Sequence, residues 1–225
     1  MPFPDYTPTV PRFVRHLATE YGDHELIVLD DQRISYREAE SLSAHLARGL
    51  LARGVAKGTR VALLMPNGPD WLVAWLAVAR LGAVLVPLNT FFQTREMQWI
   101  LRHADVHTLL MLPRLLGHDY CERLETAAPG LGASGPGPLH LLDLPHLRQV
   151  FVWGGCDRAW AQSDADLLAA GESEIQPALL EAVEECVTPA DPMAILYSSG
   201  STADPKGAIH RQGPGIRPAP SLASG

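Results

Sequence analysis

"RVALLMPNGPDWLVAWLAVARLGAVLVPL", Arg60 to Leu88, decides the fold. Its opening run, "RVALLM", shows no polar alternation, which predicts a strand buried on both faces. "NGPDWLVAWLAVARLG" follows as a largely apolar helix, with Pro69 near its start, where a missing N–H costs little. "AVLVPL" then restores the strand character. Such near-continuous apolar strands joined through a helix belong in a parallel sheet covered by helices. The unit recurs just downstream. "TREMQWILRHAD" predicts a helix, "VHTLLML" a strand, and about Arg114 to Ala128 another helix. The fold class is α/β: a layered, mostly parallel sheet with helices on both faces.

Toward the amino terminus, "ELIVLDDQRISY" offers two short apolar runs around Asp30-Asp31, which predicts a β-hairpin. "SYREAESLSAHLARGLLARG" places Glu38 three residues after Ser35, a capping-box pattern. Leu42, Leu46 and Leu50 recur every four residues and Gly54 follows as a stop, so an amphipathic helix is predicted. The lead "MPFPDYTPTVPRF" is rich in proline and has no apolar h-region, so no signal peptide is expected.

Toward the carboxyl terminus, "PGLGASGPGP" (129–138) has the composition of a flexible surface loop. "LRQVFVWG" and "PMAILYSS" predict strands; "SDADLLAAG" and Leu179 to Glu185 predict short helices. The tail "GPGIRPAPSLASG" (213–225) has three prolines and no apolar periodicity. It is expected to be neither a helix nor a folded element. No internal repeat is present.

Of the 225 residues, 47% are hydrophobic and 19% charged, enough apolar material for a sizeable core. The formal charge of −7, without a basic run, argues against a nucleic-acid partner, since phosphate contacts need clustered Lys and Arg. Cys121, Cys156 and Cys186 form no C-x-x-C pair and read as reduced thiols of a cytoplasmic protein. The longest apolar stretch, Trp71 to Ala79, is too short to span a bilayer.

The strand "PMAILYSS" runs into "YSSGSTADPKG", which concentrates the chemistry of the chain. Ser198, Ser199, Ser201 and Thr202 supply hydroxyls, Gly200 permits close backbone approach, and Lys206 adds a mobile positive charge after Pro205. Clustered N–H groups, hydroxyls and a lysine suit a polyphosphate, whose oxygens accept many hydrogen bonds and carry several charges. It is not a Walker A loop: Pro205 stands where that pattern needs glycine, and Gly207 where it needs a hydroxyl. On composition alone, a polar surface turn between two strands accounts for it equally well.

"YSSGSTADPKG" resembles the phosphate-binding signature of the adenylate-forming (AMP-binding) superfamily, which includes acyl-CoA synthetases, peptide-synthetase adenylation domains and firefly luciferase. The region from "ISYREAESL" to "ILRHAD" is similar to the opening of that superfamily in order and character, and "LGAVLVPLN" resembles a second motif of the group. The resemblance covers about residues 10 to 212, with acyl-CoA synthetases for fatty or cyclic acids as the nearest branch. It implies the start of an acetyl-CoA synthetase-like large domain over 1–212. It also implies two-step chemistry: ATP activates a small-molecule carboxylate as an acyl-adenylate, and a thiol, usually coenzyme A, takes the acyl group. Carried over by position, Ser198, Ser199, Gly200, Ser201, Thr202, Lys206 and Gly207 would line the phosphate site, with Mg2+ near Thr202. Ala203 departs from the usual glycine; if that position requires positive φ, it costs about 1 kcal/mol. Residues 213–225 do not resemble the superfamily's continuation. The expectation is therefore a truncated synthetase, without the adenine pocket, the acyl pocket and the carboxy-terminal lid domain with its catalytic lysine.

Other motifs carry less. "GLGASG" (130–135) matches G-x-G-x-x-G, but a helix precedes it and "PGP" follows, which does not make a dinucleotide site. His103 and His107 have metal-ligand spacing but no third ligand, and read as surface or cap histidines. Trp71, Trp75 and Val78 follow helical spacing and read as core. His210 has no defined role as a base for the hydroxyls. Two functions stay open at this stage: an ATP-dependent acyl-CoA synthetase portion, or a catalytically silent fragment that binds nucleotide or a partner through an exposed sheet edge.

Overall fold

The computed structural model of the chain describes residues 6–135, 137–198 and 204–216. Helix α1 (Val10–Tyr21) precedes the hairpin of β1 (Glu25–Leu29) and β2 (Gln32–Ser35), which leads into α2 (Tyr36–Ala52). Strand β3 (Arg60–Leu64), helix α3 (Pro69–Arg80), β4 (Val84–Pro87), α4 (Thr94–His103) and β5 (Thr108–Met111) form the alternating heart of the chain. A small hairpin, β6 (Arg114–Leu115) with β7 (His118–Asp119), leads into α5 (Tyr120–Ala127). Then come β8 (Gln149–Val152), β9 (Gln162–Ser163), α6 (Asp164–Glu174), α7 (Pro177–Glu185), β10 (Pro192–Ser198), β11 (Lys206–Arg211) and α8 (Gln212–Ile216).

Seven strands make the main sheet, in the order β11-β10-β4-β3-β5-β8-β9. All neighbours from β10 to β9 are parallel; β11 alone runs antiparallel, against β10. Burial on both faces explains the unbroken apolar strands. Ala62 and Leu64 enter one core with α4 and α5, while Val61 and Leu63 enter another with α2, α3, α6 and α7. Leu109, Met111, Val150 and Val152 face the first core; Leu110 and Phe151 face the second. This is the period-two alternation of a strand read out on two apolar faces.

Local signals explain the framing elements. The capping box of α2 is formed: Ser35 Oγ accepts from the Glu38 N–H at 3.2 Å, and Glu38 Oε2 accepts from the Ser35 N–H at 2.8 Å. Gly54, at φ 79°, takes the left-handed conformation that ends the helix. Helices α2 and α6 touch backbone to backbone. A Cβ on Gly49 would stand 2.4 Å from the Leu167 carbonyl oxygen, and one on Gly171 would stand 2.4 Å from the Gly49 nitrogen.

A buried charge cluster joins the helices of the second core. Arg80 Nε donates to Ser43 Oγ at 3.0 Å, Nη2 to Glu40 Oε1 at 2.7 Å, and Nη1 to Glu184 Oε1 at 2.6 Å. Arg15 also pairs with Glu184. Gln212, fully buried, closes the fold: its Oε1 accepts the Val10 N–H at 2.9 Å and its Nε2 donates to the Ala79 carbonyl at 3.2 Å.

Five sequence expectations are corrected. Val10–Tyr21, which begins inside the proline-rich lead, is a helix with Pro11 in its first turn, where no N–H is needed. Residues 114–119 are a hairpin turning at Leu116 (φ 49°) and Gly117 (φ 81°), so the following helix starts only at Tyr120, capped by Asp119. Pro129–Ala133, inside the expected loop, forms a 3-10 turn. Leu42 is exposed, because a 3.6-residue period carries the buried stripe through Ala39, Ser43, Leu46 and Leu50 instead. The start of the expected tail is the short helix Gln212–Ile216, with Ile216 buried. Pro214 is tolerated there because first-turn N–H groups have no intrahelical acceptor. The rest of the tail, 217–225, lies outside the described residues. Among the described residues, no helix is long and apolar enough to cross a membrane.

Candidate functional site

The β10–β11 hairpin sets Ser198 directly across from Lys206, and Tyr197 across from Gly207. Cross-strand partners share a face, so a hydroxyl and an ammonium project together. Both residues are exposed. Because β10 is parallel to β4, β3 and β5, its carboxyl end opens at the same edge as theirs. Adjacent strands β3 and β4 send their helices to opposite faces, with α3 in one core and α4 in the other. Open α/β sheets bind ligands at the carboxyl edge beside such a reversal.

Of the residues expected at the phosphate site, Ser198, Lys206 and Gly207 are brought together by this hairpin. Ser199, Gly200, Ser201 and Thr202 lie outside the described residues, as does Ala203. Asp204 is exposed and pairs with Arg95 at 3.5 Å, while Pro205 is buried. Gly207 is glycine for a visible reason. A Cβ there would stand 2.8 Å from Ile195 Cγ2 and 3.1 Å from the Tyr197 ring, so that ring covers the space across the strand.

Sequence reasoning missed what holds Tyr197. Its hydroxyl lies 2.8 Å from His103 Nδ1 at the end of α4. The imidazole stacks on Trp99 with ring centroids 4.3 Å apart and planes 13° apart, and Trp99 meets Tyr197 edge-on at 5.8 Å. Burial, and secondarily the charge of Asp105, pushes the Tyr197 phenol above its usual value, so it keeps its proton and stays hydrogen-bonded. The available signal was the four-residue spacing of Trp99 and His103 on one helix face.

The decoys resolve individually. His107 leaves His103 behind and bonds Thr108 Oγ1 at 2.9 Å. Among the described residues, no three His, Cys, Asp or Glu side chains converge as a metal site. "GLGASG" follows helix α5 and begins in the 3-10 turn, so no strand feeds it. Val78 is buried, while Trp71 and Trp75 are half-buried against the same core. His210 sits exposed on β11, opposite Ala194. All three cysteines are free. Cys121 is pushed up to about 12, by burial first and then by neighbouring Cys156, which leaves it an unreactive thiol.

A small concavity, of about 150 Å³, opens at the carboxyl end of β3 between Met65, Asn67, Asp70, Trp71 and Leu112. Burial, then the charge of Asp164, raises the Asp70 carboxyl above its ordinary value. The carboxyl edge thus presents a hydroxyl-and-lysine hairpin and a small cleft with one perturbed carboxyl group.

Known proteins share this architecture. The chain is 29% identical over 202 residues to the mitochondrial medium-chain acyl-CoA ligase ACSF2 of Danio rerio, covering 89% of this chain and 33% of that protein. It is 28% identical to the acyl-CoA ligase SID4 of Ajellomyces capsulatus over 207 residues, covering 89% and 33%. The solved fatty acyl CoA synthetase of Mycobacterium tuberculosis superposes with a TM-score of 0.70 at 26% identity, over 96% of this chain and 37% of that one. The chain therefore spans about a third of the length of the curated relatives it matches. The model of the AMP-binding enzyme family matches residues 14–217, from α1 into α8, and the chain belongs to that family.

Proposed function

We propose that the chain contributes the phosphate-binding part of an ATP-dependent carboxylate-activating ligase that forms an acyl-adenylate and then a coenzyme A thioester. The observation that carries this reading is the pairing of Ser198 with Lys206 at the carboxyl edge of the parallel sheet. The donor set fits a polyphosphate: an exposed ammonium, an adjacent hydroxyl, and a glycine that leaves the strand without a side chain. In this reading Ser198, Ser199, Gly200, Ser201, Thr202, Lys206 and Gly207 would hold the outer phosphates, and Thr202 would offer its hydroxyl to Mg2+. ATP, when bound, supplies the leaving group that makes a carboxylate carbon electrophilic. Lys206 neutralises charge on the outer phosphate oxygens, and Ser198 Oγ donates a hydrogen bond to them.

Titration calorimetry with ATP and Mg2+ tests the reading. Lys206→Ala is expected to weaken ATP binding roughly tenfold or more, the scale of one charge-assisted hydrogen bond. No heat from the unsubstituted chain, or an unchanged affinity in Lys206→Ala, would count against it. The other function left open by the sequence is nucleotide binding without turnover. Carboxylate-dependent ATP–pyrophosphate exchange separates the two: exchange supports the ligase, and binding without exchange supports the silent fragment.

A further inference from the structure

On α4, Arg95, Trp99 and His103 stand at i, i+4 and i+8, so they form one stripe about 12 Å long on the helix surface. That stripe meets both flanks of the segment between β10 and β11. His103 and Trp99 hold Tyr197, next to Ser198, and Arg95 reaches Asp204, two residues before Lys206. Resting on the phosphate-site reading above, we propose that this stripe is a positioning element for the nucleotide-binding hairpin, with His103 as the principal anchor acting through Tyr197.

Geometry ranks the three contacts. The stack on Trp99 fixes the imidazole plane, and Nδ1 is thereby aimed at the Tyr197 hydroxyl at 2.8 Å. The edge-on contact of Trp99 holds the Tyr197 ring from a second side. Arg95 contributes little: its pair with Asp204 is long, 3.5 Å, with the side chains 88% and 52% exposed, and water screens it. His103 is itself exposed and outside the sheet's cores, so its contact does not fill an apolar gap. What it does is fix the ring that covers Gly207 and, through that ring, the register in which Ser198 faces Lys206.

The test uses the whole chain and three variants, His103→Ala, His103→Asn and Arg95→Ala, with two readouts. Amide hydrogen exchange is followed across 197–206, with β3 and β5 as distant controls, and ATP–Mg2+ affinity is measured by calorimetry. His103→Ala should speed exchange across 197–206 about fivefold and weaken ATP binding about fivefold, the scale of one net hydrogen bond, with the controls unchanged. Asn, which can present a polar atom where Nδ1 stands, should restore both. Arg95→Ala should change either by less than about twofold. Unchanged local exchange in His103→Ala overturns the proposal. So do faster exchange throughout the sheet, an Asn variant as impaired as the Ala variant, and unchanged affinity in a chain that binds ATP. An unsubstituted chain that binds no ATP sinks the phosphate-site reading alone, and the exchange arm still decides whether α4 holds the strand.

Discussion

Nη1 of Arg80 lies 2.6 Å from Oε1 of Glu184, and each side chain is 1% exposed. This ion pair joins the end of α3 to the end of α7 in a setting where water cannot compensate either charge. Neither residue belongs to the candidate site, so its role is read through stability.

Removing one partner leaves the other charged and buried, which costs about 3–5 kcal/mol. Glu184→Gln should therefore lose about that much in urea unfolding, and Arg80→Met combined with Glu184→Leu should recover most of it. A loss below about 1 kcal/mol in Glu184→Gln would mean that Glu40 and Ser43 satisfy Arg80 by themselves.

Gly49 and Gly171 let α2 and α6 touch through their backbones, with no room for a Cβ at either position. Gly49→Ala should destabilise the fold by about 1–3 kcal/mol through forced backbone displacement, and Gly171→Ala by a similar amount. The double variant should lose less than the sum, since one displacement relieves both clashes. Chemical denaturation of the three variants decides this, with full additivity as the contrary outcome.

Gly207→Ala places a methyl 3.1 Å from the Tyr197 ring and 2.8 Å from Ile195 Cγ2. The ring must move, and its bond to His103 should break with it. Faster amide exchange at Tyr197 is expected, with a Tm loss of no more than about 2–4 °C, the equivalent of 1 kcal/mol in a chain of this size. An undisturbed Tyr197 amide would mean that the ring tolerates the methyl group.

Burial, and secondarily the charge of Arg148, holds His107 below its ordinary value of 6.5. Between the ordinary and the depressed value the unfolded chain binds more protons than the native one, so stability falls as pH drops through that window and levels off beneath it. His107→Gln should flatten the slope of unfolding free energy below pH 6.5, where the unfolded chain takes up protons that the native imidazole refuses. An identical slope in the variant would assign the dependence to other groups.

The strands were legible because burial on both faces leaves an unbroken apolar run, as in Arg60–Leu64. The capping box at Ser35 and Glu38 was legible because it is a local hydrogen-bond exchange. Helix α1 was not, since Pro11 and the prolines ahead of it masked the Val10 and Val14 positions that face the third core. The hairpin at 114–119 escaped because Leu116 adopts positive φ without glycine's help. At the candidate site, the hydroxyls, the glycines and Lys206 fall within one short stretch that the sequence displays directly, whereas Tyr197, Trp99 and His103 meet only through tertiary packing.

The buried amide of Gln212 has a consequence for biosynthesis. Val10 must wait for an acceptor 202 residues further along, which at about 5–20 residues per second arrives roughly 10–40 s later. Until then the apolar side of the first helix, with Val10 and Val14, lacks its final neighbour on the nascent chain, and it is a natural stretch for a chaperone to shield.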